Sequence, residues 1–138
     1  MPQPRLSGID HYVLSVENVE KSCAFYTRVM GARVITFGDN RHAIQIGAQK
    51  INLHPAKSVH TPLAKHPTPG SADMCFLSDS ALADWQGHLQ ACDIDIVLGP
   101  VERTGARGPI LSLYIYDPDG NLIEIANQVR VDEDSHQK

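Results

Sequence analysis

The chain has 138 residues, 42% of them hydrophobic, and a formal net charge of −4; this suits one domain, or two small modules with a common core, and argues against general affinity for nucleic acid or anionic membranes. No run approaches the roughly 20 apolar residues of a membrane span and the first residues lack the apolar stretch of a signal peptide, so a cytoplasmic protein is expected. The three cysteines, Cys23, Cys75 and Cys92, show no CxxC spacing and cannot all pair within one chain, which predicts reduced thiols packed as small apolar residues.

Asp10–Val16 has the alternation of a strand. If Tyr12, Leu14 and Val16 face a core, then His11, Val13 and Ser15 share the other side. Asn18 is a plausible N-cap for a helix in which Val19, Cys23, Phe25, Tyr26, Val29 and Met30 recur at helical spacing, and Gly31 can stop it. Ala32–Thr36, Ala43–Ile46 and Lys50–His54 read as strands, the last two joined by Gly47-Ala48-Gln49. Residues 57–71, with Pro62, Pro67, Pro69 and Gly70, read as a linker.

After the linker the pattern restarts. Asp73–Leu77 is strand-like, and Ser80–Ala91 is an amphipathic helix with Leu82, Trp85 and Leu89 on one face. Asp93–Leu98 reads as a strand, followed by a Gly/Arg-rich loop from Gly99 to Pro109. Ile110–Tyr116 and Asn121–Ala126 then flank Asp117-Pro118-Asp119-Gly120, a tight-turn signal, as a β-hairpin. In the second strand Leu122, Glu124 and Ala126 share one face and Ile123 and Ile125 the other, so Glu124 is a carboxylate in mid-strand.

Both halves therefore read β-α-β-β-β. A shift of 62 residues carries His11 to Asp73, Leu14 to Phe76 and Cys23 to Trp85, and a shift of 70, after a longer loop in the second half, carries His54 to Glu124. On this alignment four potential ligands occupy two equivalent positions, once in each half. The fold class expected is α+β: a single domain over 1–138, with module 1 at about 7–56, the linker at about 57–71, module 2 at about 72–129 and a polar, disordered tail at 131–138.

The paired layout, with histidine on the first strand and Asp117-Pro118-Asp119-Gly120-Asn121-Leu122-Ile123-Glu124-Ile125-Ala126 at the last, resembles the vicinal oxygen chelate superfamily of glyoxalase I, fosfomycin and bleomycin resistance proteins and extradiol dioxygenases. Phe25-Tyr26, Gly47–His54 and Pro67–Ser71 look most like the glyoxalase domain-containing protein 5 branch. The resemblance spans roughly Ile9 to Gln128 and implies two modules curled into an incomplete barrel around a divalent metal ion. It implies His11, His54 and Glu124 as metal ligands, with Asp73 standing where enzymes of the group usually carry a histidine.

Two imidazoles with one or two carboxylates suit Ni, Zn, Fe, Mn or Co, and leave positions open for two substrate oxygens. Tyr114, which alternates with Leu113 and Ile115, matches a tyrosine that approaches substrate in fosfomycin-resistance enzymes, and Ser112 and Tyr116 share its face. Arg103, Arg107 and Arg130 could neutralise an anionic substrate. His42, His60, His66, His88 and His136 have no symmetric partner and read as surface or locally bonded residues.

The first functional reading is a glyoxalase-type lyase acting on a small vicinal-oxygen substrate, with glutathione as cosubstrate and Glu124 or Asp73 as general base, aided by Tyr114. The alternatives are an extradiol dioxygenase, a protein that sequesters a drug or metabolite without turnover, and fosfomycin inactivation, which lacks a clear potassium-binding loop. By resemblance the protein is expected to be a homodimer whose partner is a small-molecule substrate.

Overall fold

A computed structural model describes residues 3–57 and 61–133. The chain divides into two compact units, Met1–Thr68 and Pro69–Lys138. His60, His136 and most of the expected tail, residues 134–138, lie outside the described residues. Among the described residues no helix is long and apolar enough to cross a membrane.

The first unit runs β1 (His11–Val16), α1 (Val19–Arg28), β2 (Arg33–Phe37), β3 (Arg41–Ile46) and β4 (Gln49–Pro55). Its sheet has the order β1-β4-β3-β2, with β1 parallel to β4 and the other pairs antiparallel. The helix starts where Asn18, in extended conformation, accepts a hydrogen bond from the Lys21 amide at 3.0 Å, satisfying one of the amides that a helix start leaves without an internal partner. Glu20 in the first turn and Arg28 in the last complement the helix dipole. Gly31 follows in the left-handed region, φ 68, and Ala32 donates back to the Tyr26 carbonyl at 2.9 Å. Phe25, Tyr26 and Val29 are buried, as are Leu14, Val16, Ile44, Ile51 and Leu53 of the sheet face beneath. Each such side chain contributes about 1.5–3 kcal/mol by leaving water. Tyr12 departs from the expected core set: its side chain has the parity of Leu14 and Val16 but remains 49% exposed, near the start of a strand at the edge of the sheet.

The second unit repeats the plan with β5 (Asp73–Leu77), α2 (Leu82–Ala91), β6 (Leu98–Gly105), β7 (Gly108–Tyr116) and β8 (Leu122–Gln128), in the order β5-β8-β7-β6. Helix α2 starts at Leu82, later than Ser80, and has no cap from its own chain neighbours. Asn127 of β8 caps it instead, accepting from the Leu82 amide at 3.0 Å and donating to the carbonyls of Ser78 and Ser80 at 2.9 and 2.8 Å. Leu82 and Leu89 cover Leu113, Ile115, Ile123 and Ile125, all buried.

The main correction is at β6. The expected strand over Asp93–Leu98 begins only at Leu98: Asp93 closes the turn after α2 with a left-handed φ of 61, Ile94 donates to the Leu89 carbonyl at 2.9 Å, and 94–97 run on without regular structure. The expected loop from Gly99 to Pro109 is instead a hairpin, with Arg103 opposite Ile110 and Gly105 opposite Gly108. A Cβ at Gly105 would come within 2.7 Å of the Gly108 carbonyl oxygen, so this glycine permits the close turn. The Asp117–Asn121 turn forms as expected: the Asp117 carboxylate accepts from the amides of Asp119 and Asn121, each at 2.9 Å, and from the Asn121 side chain at 2.8 Å. The Asn121 carboxamide oxygen in turn accepts from the Ala72 amide at 2.9 Å, fastening the end of the linker to the turn.

Candidate functional site

Glu124 lies at mid-length in β8, opposite Cys75 of β5 on one side and Tyr114 of β7 on the other. Its face of the sheet is the one turned away from α2. There the Ser112 hydroxyl, itself fully buried, donates to Glu124 Oε2 at 2.5 Å. Cys75 was expected as a small buried residue, but it is exposed and reduced. Its sulfur is nevertheless partly shielded against the sheet. That desolvation, then the Glu124 charge and a thiol hydrogen bond to the Glu124 carboxylate, and lastly Asp73, push the thiol up to about 11. Ser112 and Cys75 thus both give hydrogen bonds to one carboxylate, which leaves part of its acceptor capacity for something else.

Asp73 stands on the same face, opposite Leu122 and two positions from Cys75, and is exposed. Tyr114 accepts a hydrogen bond from Arg103 Nε at 2.9 Å, and the guanidinium also lies 5.5 Å from the phenol ring centroid. The Tyr114 O–H therefore remains available to donate. Tyr116 shares the face and is exposed. Arg130 pairs with Asp132 at 3.3 Å beyond the end of β8, and Arg107 sits in the turn between β6 and β7.

In the first unit His11 is exposed, and its Nδ1 lies 2.9 Å from Asp10 Oδ2. A carboxylate partner makes Nδ1 the donor, so in the neutral imidazole the lone pair is on Nε2, the arrangement by which carboxylates orient metal-binding histidines. His54 has another occupation: Arg41 Nη2 approaches its Nε2 at 3.2 Å, and a guanidinium can only donate.

Strand register changes the repeat alignment. Val13 pairs with Asn52, and Cys75, the counterpart of Val13, pairs with Glu124. The residue of module 1 equivalent to Glu124 is therefore Asn52, whereas His54 is opposite Ser15 and corresponds to Ala126. His54 lies four positions along β4 from the residue opposite His11, roughly 13 Å at the rise of a strand. That span is too long for two imidazoles to meet on one ion without a large excursion. Asn52 was not singled out from the sequence; it is only 5% exposed, and its Oδ1 has no hydrogen-bond partner among the described residues. Among the described residues no three His, Cys, Asp or Glu side chains gather into a group that could hold a metal ion. His42 bonds Thr36 at 3.3 Å and His88 approaches Cys92 Sγ at 3.7 Å, local roles of the kind expected.

Residues 8–125 match the Glyoxalase/Bleomycin resistance protein/Dioxygenase superfamily. The chain belongs to that superfamily. It is 50% identical over 124 residues to Virulence protein STM3117 of Salmonella typhimurium, covering 90% of this chain and 86% of that protein. The crystal structure of STM3117 superposes with a TM-score of 0.89 at 48% identity, over 91% of this chain and all, 100%, of the other. Glyoxalase domain-containing protein RDO1 of Mycosarcoma maydis is 47% identical over 125 residues, 91% of this chain and 70% of that protein. Metallothiol transferase FosB of Staphylococcus epidermidis is 26% identical over 121 residues, 87% of this chain and 83% of that protein. The superfamily's α+β fold of two β-α-β-β-β modules is thus the fold of this chain.

Proposed function

We propose that the protein is a divalent-metal-dependent enzyme of lactoylglutathione-lyase type, acting on a small substrate with two neighbouring oxygens. The observation that carries this reading is that the two expected ligands are each oriented by a hydrogen-bonding neighbour: His11 by Asp10 and Glu124 by Ser112. Both keep a lone pair for a cation, and the nitrogen/oxygen donor set suits Ni, Zn, Fe, Mn or Co. Asp73 is the third candidate ligand or the base, and His54, engaged by Arg41, is assigned to substrate contact. The metal would supply Lewis-acid polarisation of the substrate oxygens, which acidifies a neighbouring C–H. Tyr114, held by Arg103, gives its own O–H to a substrate oxygen, and the exposed Asp73 carboxylate takes the carbon-bound proton and returns it.

A second reading, thiol transfer onto a small chelating substrate, is favoured by the likeness to metallothiol transferase FosB. A homodimer accompanies either reading, since Leu6 and Ile9 leave apolar surface 98% and 75% exposed just before β1. The test is metal analysis of protein purified without chelator, beside His11→Ala and Glu124→Ala. Stoichiometric divalent metal in the parent and its loss in both variants supports the reading; full retention in both overturns the ligand assignment. Turnover of the methylglyoxal–glutathione adduct then separates the lyase from the transferase, and a metal-loaded protein inert toward it ends the lyase reading.

A further inference from the structure

The face of the first sheet turned away from α1 carries an uncompensated group of cations. Phe37, at the end of β2, lies opposite Arg41 of β3. The Arg41 guanidinium carbon is 4.8 Å from the Phe37 ring centroid, and Lys50 Nζ, reaching from β4, is 3.9 Å from the same centroid. One aromatic ring therefore organises two like charges, and Arg41 also touches His54 Nε2 at 3.2 Å. Neither Arg41 nor Lys50 forms an ion pair among the described residues. Strand by strand, no residue on this face is Asp or Glu; Asp10 and Asp39 lie outside the strands, and Asp10 is taken by His11. Ala43 on this face is fully buried, and opposite it Asn52, 5% exposed, buries a carboxamide oxygen with no hydrogen-bond partner among the described residues.

Two cations held together without a counter-charge call for an anion. A buried carboxamide oxygen without a partner calls for a donor. We propose that this face binds a small oxyanion bearing a hydroxyl group, its anionic end held by Arg41 and Lys50 and its hydroxyl by Asn52. The assignment deepens the enzymatic reading and rests on it only for the anion's being substrate; the grip itself is built entirely from the first unit. Deleting the hydroxyl should cost affinity through Asn52, and deleting either cation should cost it through charge.

The test is calorimetric titration of the full chain, dialysed free of chelator and at low ionic strength, with glycolate and with acetate, which differ by that hydroxyl. Saturable binding with glycolate at least tenfold tighter than acetate is expected. Arg41→Met and Lys50→Met should each weaken glycolate at least tenfold, and Asn52→Leu should erase the preference for glycolate. Arg33→Met, which removes a cation of the same face that donates to Gln45 at 3.2 Å, should change neither. A readout that needs no variant is protection of Arg41 from phenylglyoxal by glycolate, followed by peptide mass spectrometry. Absence of saturable binding, or binding that Arg41→Met and Lys50→Met leave intact, or no protection of Arg41, overturns the proposal. Divalent-metal binding is measured on the same preparations. Its loss with glycolate binding intact sinks the metal reading alone, and the converse sinks this one alone.

Discussion

The Cys75 thiol reports on how Glu124 is held. With the thiol at about 11 against an ordinary 9.0, thiolate at pH 8 is roughly 100-fold scarcer than in an unperturbed cysteine. A thiolate of higher pKa is also more nucleophilic, and a Brønsted slope of about 0.4–0.5 restores roughly eightfold of that loss. Alkylation of native Cys75 by iodoacetamide should therefore run about tenfold slower than that of the same cysteine in the urea-unfolded chain, and slower still where the sheet shields the sulfur. The assay is timed quenching at pH 8 with mass spectrometry of the Cys75 peptide. In Glu124→Gln the second-ranked cause, the carboxylate charge, is gone while desolvation and Asp73 remain, so the rate should recover in part, by severalfold. A native rate within twofold of the unfolded chain, or a Glu124→Gln rate equal to the parent's, would refute the thiol–carboxylate contact.

The same shift has a signature in stability. Below about pH 9 the thiol is protonated in both states; as pH climbs toward 11 the unfolded chain releases the proton while the fold keeps it, so stability falls with rising pH. Urea midpoints between pH 8 and 10 should fall less steeply in Cys75→Ser than in the parent. Ser112→Ala removes the buried donor to Glu124 and should weaken divalent-metal binding about 10–100-fold by calorimetry, while costing only about 1 kcal/mol of stability because the half-buried carboxylate can turn to water; unchanged metal affinity would deny Ser112 its orienting role. Gly99→Ala forces a side chain onto a φ of 116 with its Cβ 2.5 Å from the Ser112 carbonyl oxygen. A loss of about 3 kcal/mol or more is expected from the urea midpoint, and a loss under about 1 kcal/mol would show that β6 relaxes freely there.

Much of the fold is legible because its elements have buried faces. Leu14 and Val16, Ile123 and Ile125, and the Phe25, Tyr26 and Val29 stripe each bury one side against a core, and period alone reveals such elements. The turn at Asp117–Asn121 is legible for a different reason, since its carboxylate, proline and glycine each have a local job. Strand β6 escapes both signals. It is an outer strand of its sheet with few buried residues, so it has no apolar alternation, and its glycines serve close approach to Ser112, Gly108 and Ile110 rather than a loop.

The candidate site fails in the sequence at one point, and the reason is general. Asn52 and His54 have the same parity, so both face the same side of the sheet and periodicity cannot choose between them. Height along the strand is set by pairing with β1, and β1 and β4 are parallel, joined by a helix and two further strands rather than by a tight turn that would pin the register. A histidine at 54 then attracts attention because histidine is a familiar ligand, while the asparagine at the equivalent height passes as filler. Only the pairing of Val13 with Asn52 and of Cys75 with Glu124 shows that the module bearing His11 has a neutral carboxamide at the strand height where the module bearing Asp73 has a carboxylate. The two halves are thus alike in fold and unlike in charge: one face gathers Arg41, Lys50 and His54 with no carboxylate on its strands, the other sets Asp73 and Glu124 beside Arg103. On these faces the carboxylates that a cation would need are thus confined to the second module, and the cations that an anion would need cluster on the first.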